Sequence, residues 1–323
     1  MRIQILSTLS NNLLLHEPDQ ENILSVQPLV TIVIPTYNRS LLIQDTIASV
    51  LAQTYSNWEL IIVDDGSTDS TVDMIRSIKD ERVRIIGFPH CGNIAMLRNI
   101  GVKSGSGQWI AFLDSDDTWV PQKLELQLAA LQKDTKQWCY GGFELMNETG
   151  TAIPSKSGTY HPFSGWILPK VITYEASVTI CSVMLRRSLF DEIGGFNSDA
   201  GLFCHEDYEF VLRLAMHAEA LALASVLVRI RDHPGRTTNT FTNGPERTAN
   251  VYGFFYRCCN DNNIKKLVHR QYAHHLADAA EKNLYKKNYL RAIKYFAKAI
   301  VNGDKPRHLL SSFKHGFIKH NPL

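Results

Sequence analysis

The chain has 323 residues, 44% of them hydrophobic and 20% charged, with a formal net charge of +2. That composition excludes collagen-like, mucin-like and wholly disordered chains. No apolar run approaches the roughly 20 residues a membrane-spanning helix needs. The small net charge hides an asymmetry: residues 250–323 carry 14 Lys and Arg against 4 Asp and Glu, a balance of +10 that leaves −8 for the rest. An acidic body suits metal ions. A basic tail suits either an anionic partner or a solvated helical face. The 6 cysteines are scattered, with no C-x-x-C, so neither a disulfide framework nor a zinc ribbon is expected, and the cytoplasm is the default compartment.

In chain order, residues 1–27 hold only Leu13-Leu14-Leu15 as an apolar core and no small-residue cleavage site, and read as a loose arm. From Pro28 the punctuation becomes regular. Val30–Ile34 is a β-branched run ended by Pro35, a buried strand. Ile43, Ile47, Val50 and Leu51 then form a helical stripe. Leu60–Val63 is a second strand, stopped by Asp64-Asp65-Gly66-Ser67, and Val72–Ile78 is a short helix. Val83–Ile86 is a third strand, Ile94–Lys103 a helix, and Trp109–Leu113 a fourth strand, stopped by Asp114-Ser115-Asp116-Asp117. Pro121 opens a helix with Leu124, Leu128 and Leu131 on its stripe. After Gly141-Gly142 the pattern loosens, and residues 151–166 read as loop. A strand at 178–185, a helix at 188–193, a helix opened by Glu206-Asp207 and a strand at 226–230 follow. Beyond about Ala249 everything reads helical, with breaks at 261–263 and at Asn302-Gly303.

Alternating strands and helices predict an α/β fold with a mostly parallel sheet covered on both faces. Ligands in such sheets bind beyond the carboxyl ends of the strands, where the strand order reverses. Pro35–Asn38, Asp64–Ser67 and Asp114–Asp117 each follow a strand directly, so all three belong on one edge, around one cleft.

Three carboxylates in the four residues Asp114–Asp117 repel one another unless water or a cation offsets them. Mg²⁺ or Mn²⁺ takes such hard oxygen ligands together with substrate phosphates. The same tetrapeptide can also be a solvated turn that caps the next helix. Asp64-Asp65-Gly66 is either an Asx-type turn or a carboxylate facing a nucleobase edge. Tyr37 can lie against a base or simply at the rim. There is no P-loop, no G-x-G-x-x-G after the first strand and no G-x-S-x-G elbow. Those absences exclude P-loop NTPases and disfavour dinucleotide dehydrogenases and α/β-hydrolases.

The order of VTIVIPTYN (residues 30–38), IIVDDGSTD (61–69), Arg98-Asn99-x-Gly101, FLDSDD (112–117) and HEDYEF (205–210) resembles the inverting family 2 glycosyltransferases of GT-A fold. The resemblance implies a GT-A domain over residues 28–240, with a nucleotide-sugar half (28–118) and an acceptor half (119–240). It further implies that Pro35, Thr36 and Tyr37 line the nucleotide pocket, with Ser115 beside them, and that Asp64 or Asp65 reads the base. Arg98 would lie near the diphosphate. Asp114 and Asp116 would form the D-x-D that holds Mn²⁺ or Mg²⁺, with Asp116 in direct contact and Asp114 on ribose or metal. Asp207 would be the base that deprotonates the acceptor hydroxyl; its alternative is an acid favoured by the helix dipole. His233 would reach the metal or the diphosphate. The chain departs from the family pattern at Leu97, where a small residue is usual before Arg-Asn.

The implied partners are a nucleotide-sugar donor, with UDP as the nucleotide, and a saccharide or lipid-linked acceptor; no nucleic acid is expected. A non-catalytic scaffold on a relic fold, or a nucleotidyltransferase, are the alternatives. The latter usually has a Gly-rich and Lys phosphate loop near its first strand, which this chain lacks. Residues 250–323 read as a helical extension in which Ala292, Phe296 and Ala299 resemble half of a tetratricopeptide repeat. Tyr289, Ile293, Phe296 and Ile300 form a stripe expected to dock on the domain. Lys282, Lys286, Lys287, Arg291, Lys294 and Lys298 would then face outward, toward an anionic membrane at the inner face or toward solvent.

Overall fold

The computed structural model describes residues 27–153, 160–202, 204–236 and 244–302. The expected N-terminal arm, the boundary near residue 240 and the break at Gly303 lie outside the described residues.

Four strands, β1 (Val30–Thr36), β2 (Trp58–Asp64), β3 (Val83–Gly87) and β4 (Trp109–Phe112), run parallel. Every residue of β1 is buried, as its unbroken apolar run demands of a central strand. The eight-stranded sheet continues through β5 (Thr118–Trp119), β6 (Trp138–Met146), β7 (Met184–Arg186) and β8 (Ala220–Arg231), in the order β3-β2-β1-β4-β7-β6-β8-β5. β1 leads outward to β2 and β3, and the chain then returns to place β4 on the other side of β1. That reversal opens a crevice between the carboxyl ends of β1 and β4.

Helices α1 (Ile43–Leu51), α2 (Thr71–Arg76), α3 (Ile94–Ser104) and α4 (Lys123–Gln132) connect the first strands. α3 crosses β1 closely because Gly101 has no side chain: a Cβ there would run into Val33. Leu97, from the same helix, packs with Ile61 and Val63. The second half carries α5 (Leu168–Ile172), α6 (Arg187–Glu192) and α7 (Glu206–His217). α8 (Gly244–Cys258), α9 (Asn262–Tyr285) and α10 (Tyr289–Val301) complete the chain. Among the described residues no helix is long and apolar enough to cross a membrane.

Three sequence expectations need correction. The loosening expected after Gly141-Gly142 begins only after Met146, because both glycines sit inside β6. They mark a slip in its register with β8, which is how a bulge reads in sequence. The strand expected over 178–185 shrinks to β7. Ile180–Ser182 is a 3₁₀ turn, held where Ser182 Oγ donates to Thr179 O at 2.9 Å. The third correction concerns α10, which docks through Ala292 and Ala299, with Tyr295 and Phe296 half-buried. Alanines let the helices approach closely, and this rotation leaves Tyr289 56%, Ile293 62% and Ile300 41% exposed.

Candidate active site

The three polar clusters meet as expected. A cavity of about 430 Å³ opens at the β1–β4 crevice, and Pro35, Thr36, Tyr37 and Asp65 line one end of it. Asp114, Ser115, Asp116 and Asp117 line it as well, and so do Glu206 and Asp207.

At the first end, Gly66 takes a left-handed turn (φ 74°) where a Cβ would press on His90 N. That turn tucks Asp64 away: its Oδ2 accepts Ser67 N–H at 3.0 Å, and it is not among the cavity residues. Asp65 is the member of the pair that faces the cavity. Its carboxylate accepts Cys91 N–H at 2.8 Å and Gly92 N–H at 2.9 Å, and His90 Nδ1 lies 2.9 Å away. The His90 ring stacks on Tyr37 with centroids 4.1 Å apart. One face of Tyr37 is therefore taken by a residue that sequence reading had not singled out.

Arg98 has a side chain only 3% exposed, and it bridges two acids. Its Nη2 donates to Asp114 Oδ1 at 2.8 Å and its Nη1 to Glu206 Oε1 at 2.9 Å. Burial works against the guanidinium charge, but Asp114, Glu206 and Asp207 outweigh it and raise its pKa. Asn99 grips the Phe196 backbone from both sides, accepting its N–H and donating to its carbonyl, each at 2.8 Å. The Arg98-Asn99-x-Gly101 segment thus ties α3 to the acid loop, to α7 and to the loop at Phe196. Two further cations, Arg39 and Arg236, line the cavity with Arg98.

The acid loop splits its carboxylates. Asp116 Oδ2 lies 3.1 Å from His233 Nε2 and 3.6 Å from Arg39, so His233 does reach the acid cluster. Asp114, Asp117 and Cys181 form a second grouping whose potential ligand atoms lie within 4.8 Å of one another. Asp117 accepts Arg231 N–H at 2.9 Å, and burial together with Asp116 and Asp114 pushes its carboxyl well above the usual range. Burial likewise raises the Cys181 thiol, which keeps it a neutral donor to Asp117. Asp114, Asp116 and Asp117, with the His233 imidazole beside Asp116, bring together ligand atoms of the kind a hard divalent cation takes. Asp117 was legible as part of the acid run; nothing in the sequence marks Cys181.

Asp207 sits in the first turn of α7, and its Oδ1 accepts Tyr208 N–H at 2.8 Å. Its neighbour Glu206 is buried, and desolvation and the charge of Asp207 raise its pKa to about 7 against the pull of Arg98.

A mostly parallel sheet reversing over a cleft lined by carboxylates and by a stacked Tyr–His pair defines an α/β protein with a metal-capable centre at the carboxyl ends of its strands. Residues 31–194 match the model of the family described as Glycosyl transferase family 2, and the chain belongs to that family. It is 36% identical over 168 residues to WfgD of Escherichia coli, a UDP-Glc:α-D-GlcNAc-diphosphoundecaprenol β-1,3-glucosyltransferase; the match covers 50% of this chain and 62% of that one. It is 29% identical over 293 residues to RP339 of Rickettsia prowazekii, an uncharacterized glycosyltransferase, covering 88% of this chain and 89% of the relative. WfgD is thus matched over about three fifths of its length. The fold is that of S. aureus TarS 1–349, solved with UDP-GlcNAc, at a TM-score of 0.64 and 15% identity, covering 90% of this chain and 92% of TarS 1–349. It is equally that of the Pyrobaculum calidifontis mannosyltransferase PcManGT, solved with GDP-Man and Mn²⁺ (TM-score 0.58, 17% identity, covering 92% and 82%). The GT-A expectation is met.

Proposed function

We propose that this family 2 glycosyltransferase moves a sugar, with inversion, from a UDP-sugar to a hydroxyl of a saccharide carried on a lipid diphosphate. The observation that supports it best is that one cavity is lined by both the acid loop Asp114–Asp117 and Asp207. WfgD, a glucosyltransferase named for UDP-Glc and an α-D-GlcNAc-diphosphoundecaprenol acceptor, suggests the substrate classes.

Asp114 and Asp116, with His233 beside Asp116, would hold Mn²⁺ or Mg²⁺, which when bound neutralises charge developing on the departing diphosphate. Asp65, His90 and Tyr37 form the end of the cavity suited to the base. Arg39 and Arg236 supply positive charge toward the phosphates. Asp207 takes the proton of the attacking hydroxyl, a contribution worth about 10²–10⁴-fold in rate. A non-catalytic scaffold would need none of Asp114, Asp116 and Asp207 to share a cavity.

The lipid-linked acceptor puts the enzyme at an anionic membrane surface, and the exposed side of α10 suits that place. Leu290 is 85% and Val301 84% exposed, next to Ile293 and Ile300. Lys294, Lys298 and Arg291 border this apolar sector on the side away from the docked alanines.

The deciding experiment titrates nucleoside diphosphates with and without Mn²⁺ and assigns the anomer of the transferred sugar by NMR. UDP binding strengthened by Mn²⁺, and a product anomer opposite to the donor's, support the reading. Metal-independent binding or a retained anomer rejects it.

A further inference from the structure

Asp207 explains the acid at the start of α7 but not the residue two positions before it. His205 is the N-cap of α7, and its Nε2 lies 3.0 Å from Thr248 Oγ1 on α8. Thr248 spends its one hydroxyl hydrogen on Gly244 O, at 3.0 Å in its own helix. Its oxygen must therefore accept, and the imidazole proton resides on Nε2. Nδ1 is then a bare lone pair, buried and without a hydrogen-bond partner among the described residues. Burial holds the ring toward its neutral form, while the charge of Asp207 pulls the other way.

The backbone leading in is also constrained. Cys204, at the cavity wall, is a non-glycine residue in the left-handed region (φ 64°), a conformation that persists only where the surroundings impose it. α8 packs against α7 and against the turn Ala200–Leu202 that precedes this stretch. Besides Thr248 it sends the adjacent Arg247 into a second cavity of about 250 Å³, which shares Glu206 with the first. No residue of α8 lines the first cavity. α8 thus reaches the start of α7 without itself lining the first cavity.

We propose that His205 is a positioning residue, locked by Thr248, that fixes the first turn of α7 so that Asp207 meets the acceptor hydroxyl. The inference rests on Asp207 being the base. It makes the C-terminal helices a working part of the reaction centre.

The test uses full-length protein, UDP with Mn²⁺ as the binding probe, and transfer from UDP-glucose to a GlcNAc-diphosphate-lipid analogue. Thr248→Val should lower kcat about 10–100-fold, the scale of a small misplacement of a catalytic group, with UDP affinity within about twofold. Thr248→Ser, which keeps the acceptor oxygen, should recover most of the rate. His205→Gln, whose amide can still donate to Thr248, should retain more activity than His205→Ala. Unchanged kcat in Thr248→Val, with or without a lower melting temperature, overturns the inference; so does a parallel loss of UDP affinity. Asp207→Asn run alongside separates the two failures. If Asp207→Asn stays active the base assignment fails, whereas an inactive Asp207→Asn beside a fully active Thr248→Val removes only the role of His205.

Discussion

Arg98 shows how much one side chain can organise. It carries the single positive charge that holds Asp114 and Glu206 together, so the acid loop and the start of α7 keep a fixed spacing. That division of labour sharpens what the acids should do when replaced. Asp116→Asn should weaken Mn²⁺-dependent UDP binding at least about tenfold and abolish transfer with the fold intact. Asp207→Asn should leave UDP affinity within a few-fold while kcat falls about 10²–10⁴-fold, because only the transition state needs the proton removed. Calorimetry and initial rates read the two separately. Deeper in, Lys123 is fully buried, with its ammonium donating to Gln127 Oε1 at 2.6 Å and lying 4.0 Å from the Trp119 ring. Desolvation lowers its pKa from 10.5 to about 7. Between pH 7 and about 10 the unfolded chain therefore binds more protons here than the folded one, so stability should rise with pH through that window. Lys123→Met should flatten that rise, on the order of a few kcal/mol, in urea melts at pH 7 and 10.

Among the elements, those of the first half, through β4, were the more legible. β1, β2 and β4 announce themselves by unbroken apolar runs ending in polar turns, and a central parallel strand can look no other way. The later strands are hidden because β6 carries two glycines at a bulge and because a 3₁₀ turn breaks the run before β7. Asp207 was legible from its motif. His90, Cys181 and the Arg98 bridge were not, because each acts on a partner far away in sequence: Arg98 and Glu206 are 108 positions apart. α10 taught a different lesson, since its periodicity allowed two apolar sectors and only packing chose the alanines. The sector left outside makes a prediction of its own. Full-length protein should float with anionic vesicles at low ionic strength and be released as salt rises. Leu290→Glu together with Ile293→Glu should abolish flotation without altering UDP affinity. Failure of the unmodified protein to float would end the membrane assignment.

At the scale of the whole molecule, the helices after β8 do not share one fate. Val251, Tyr252, Phe255, Ile264 and Val268 belong to the main core. Ala249, Leu276 and Ala299 form a small separate cluster under α10. So small an apolar contact stabilises little, and α10 with the second half of α9 should open as a unit. Native-state hydrogen exchange should show their amides protected by at least about 2 kcal/mol less than those of β1, β2 and β4; equal protection would mean a single cooperative unit. The sheet, by contrast, ends well at both sides. Its two outer strands are β3, where Arg84 projects and pairs with Glu59, and β5, which is two residues long. An outer strand is a template on which another chain can extend the sheet, and a charged edge on one side with a stub on the other deny that template. The order of the strands thus carries a guard against chain-to-chain extension of the sheet.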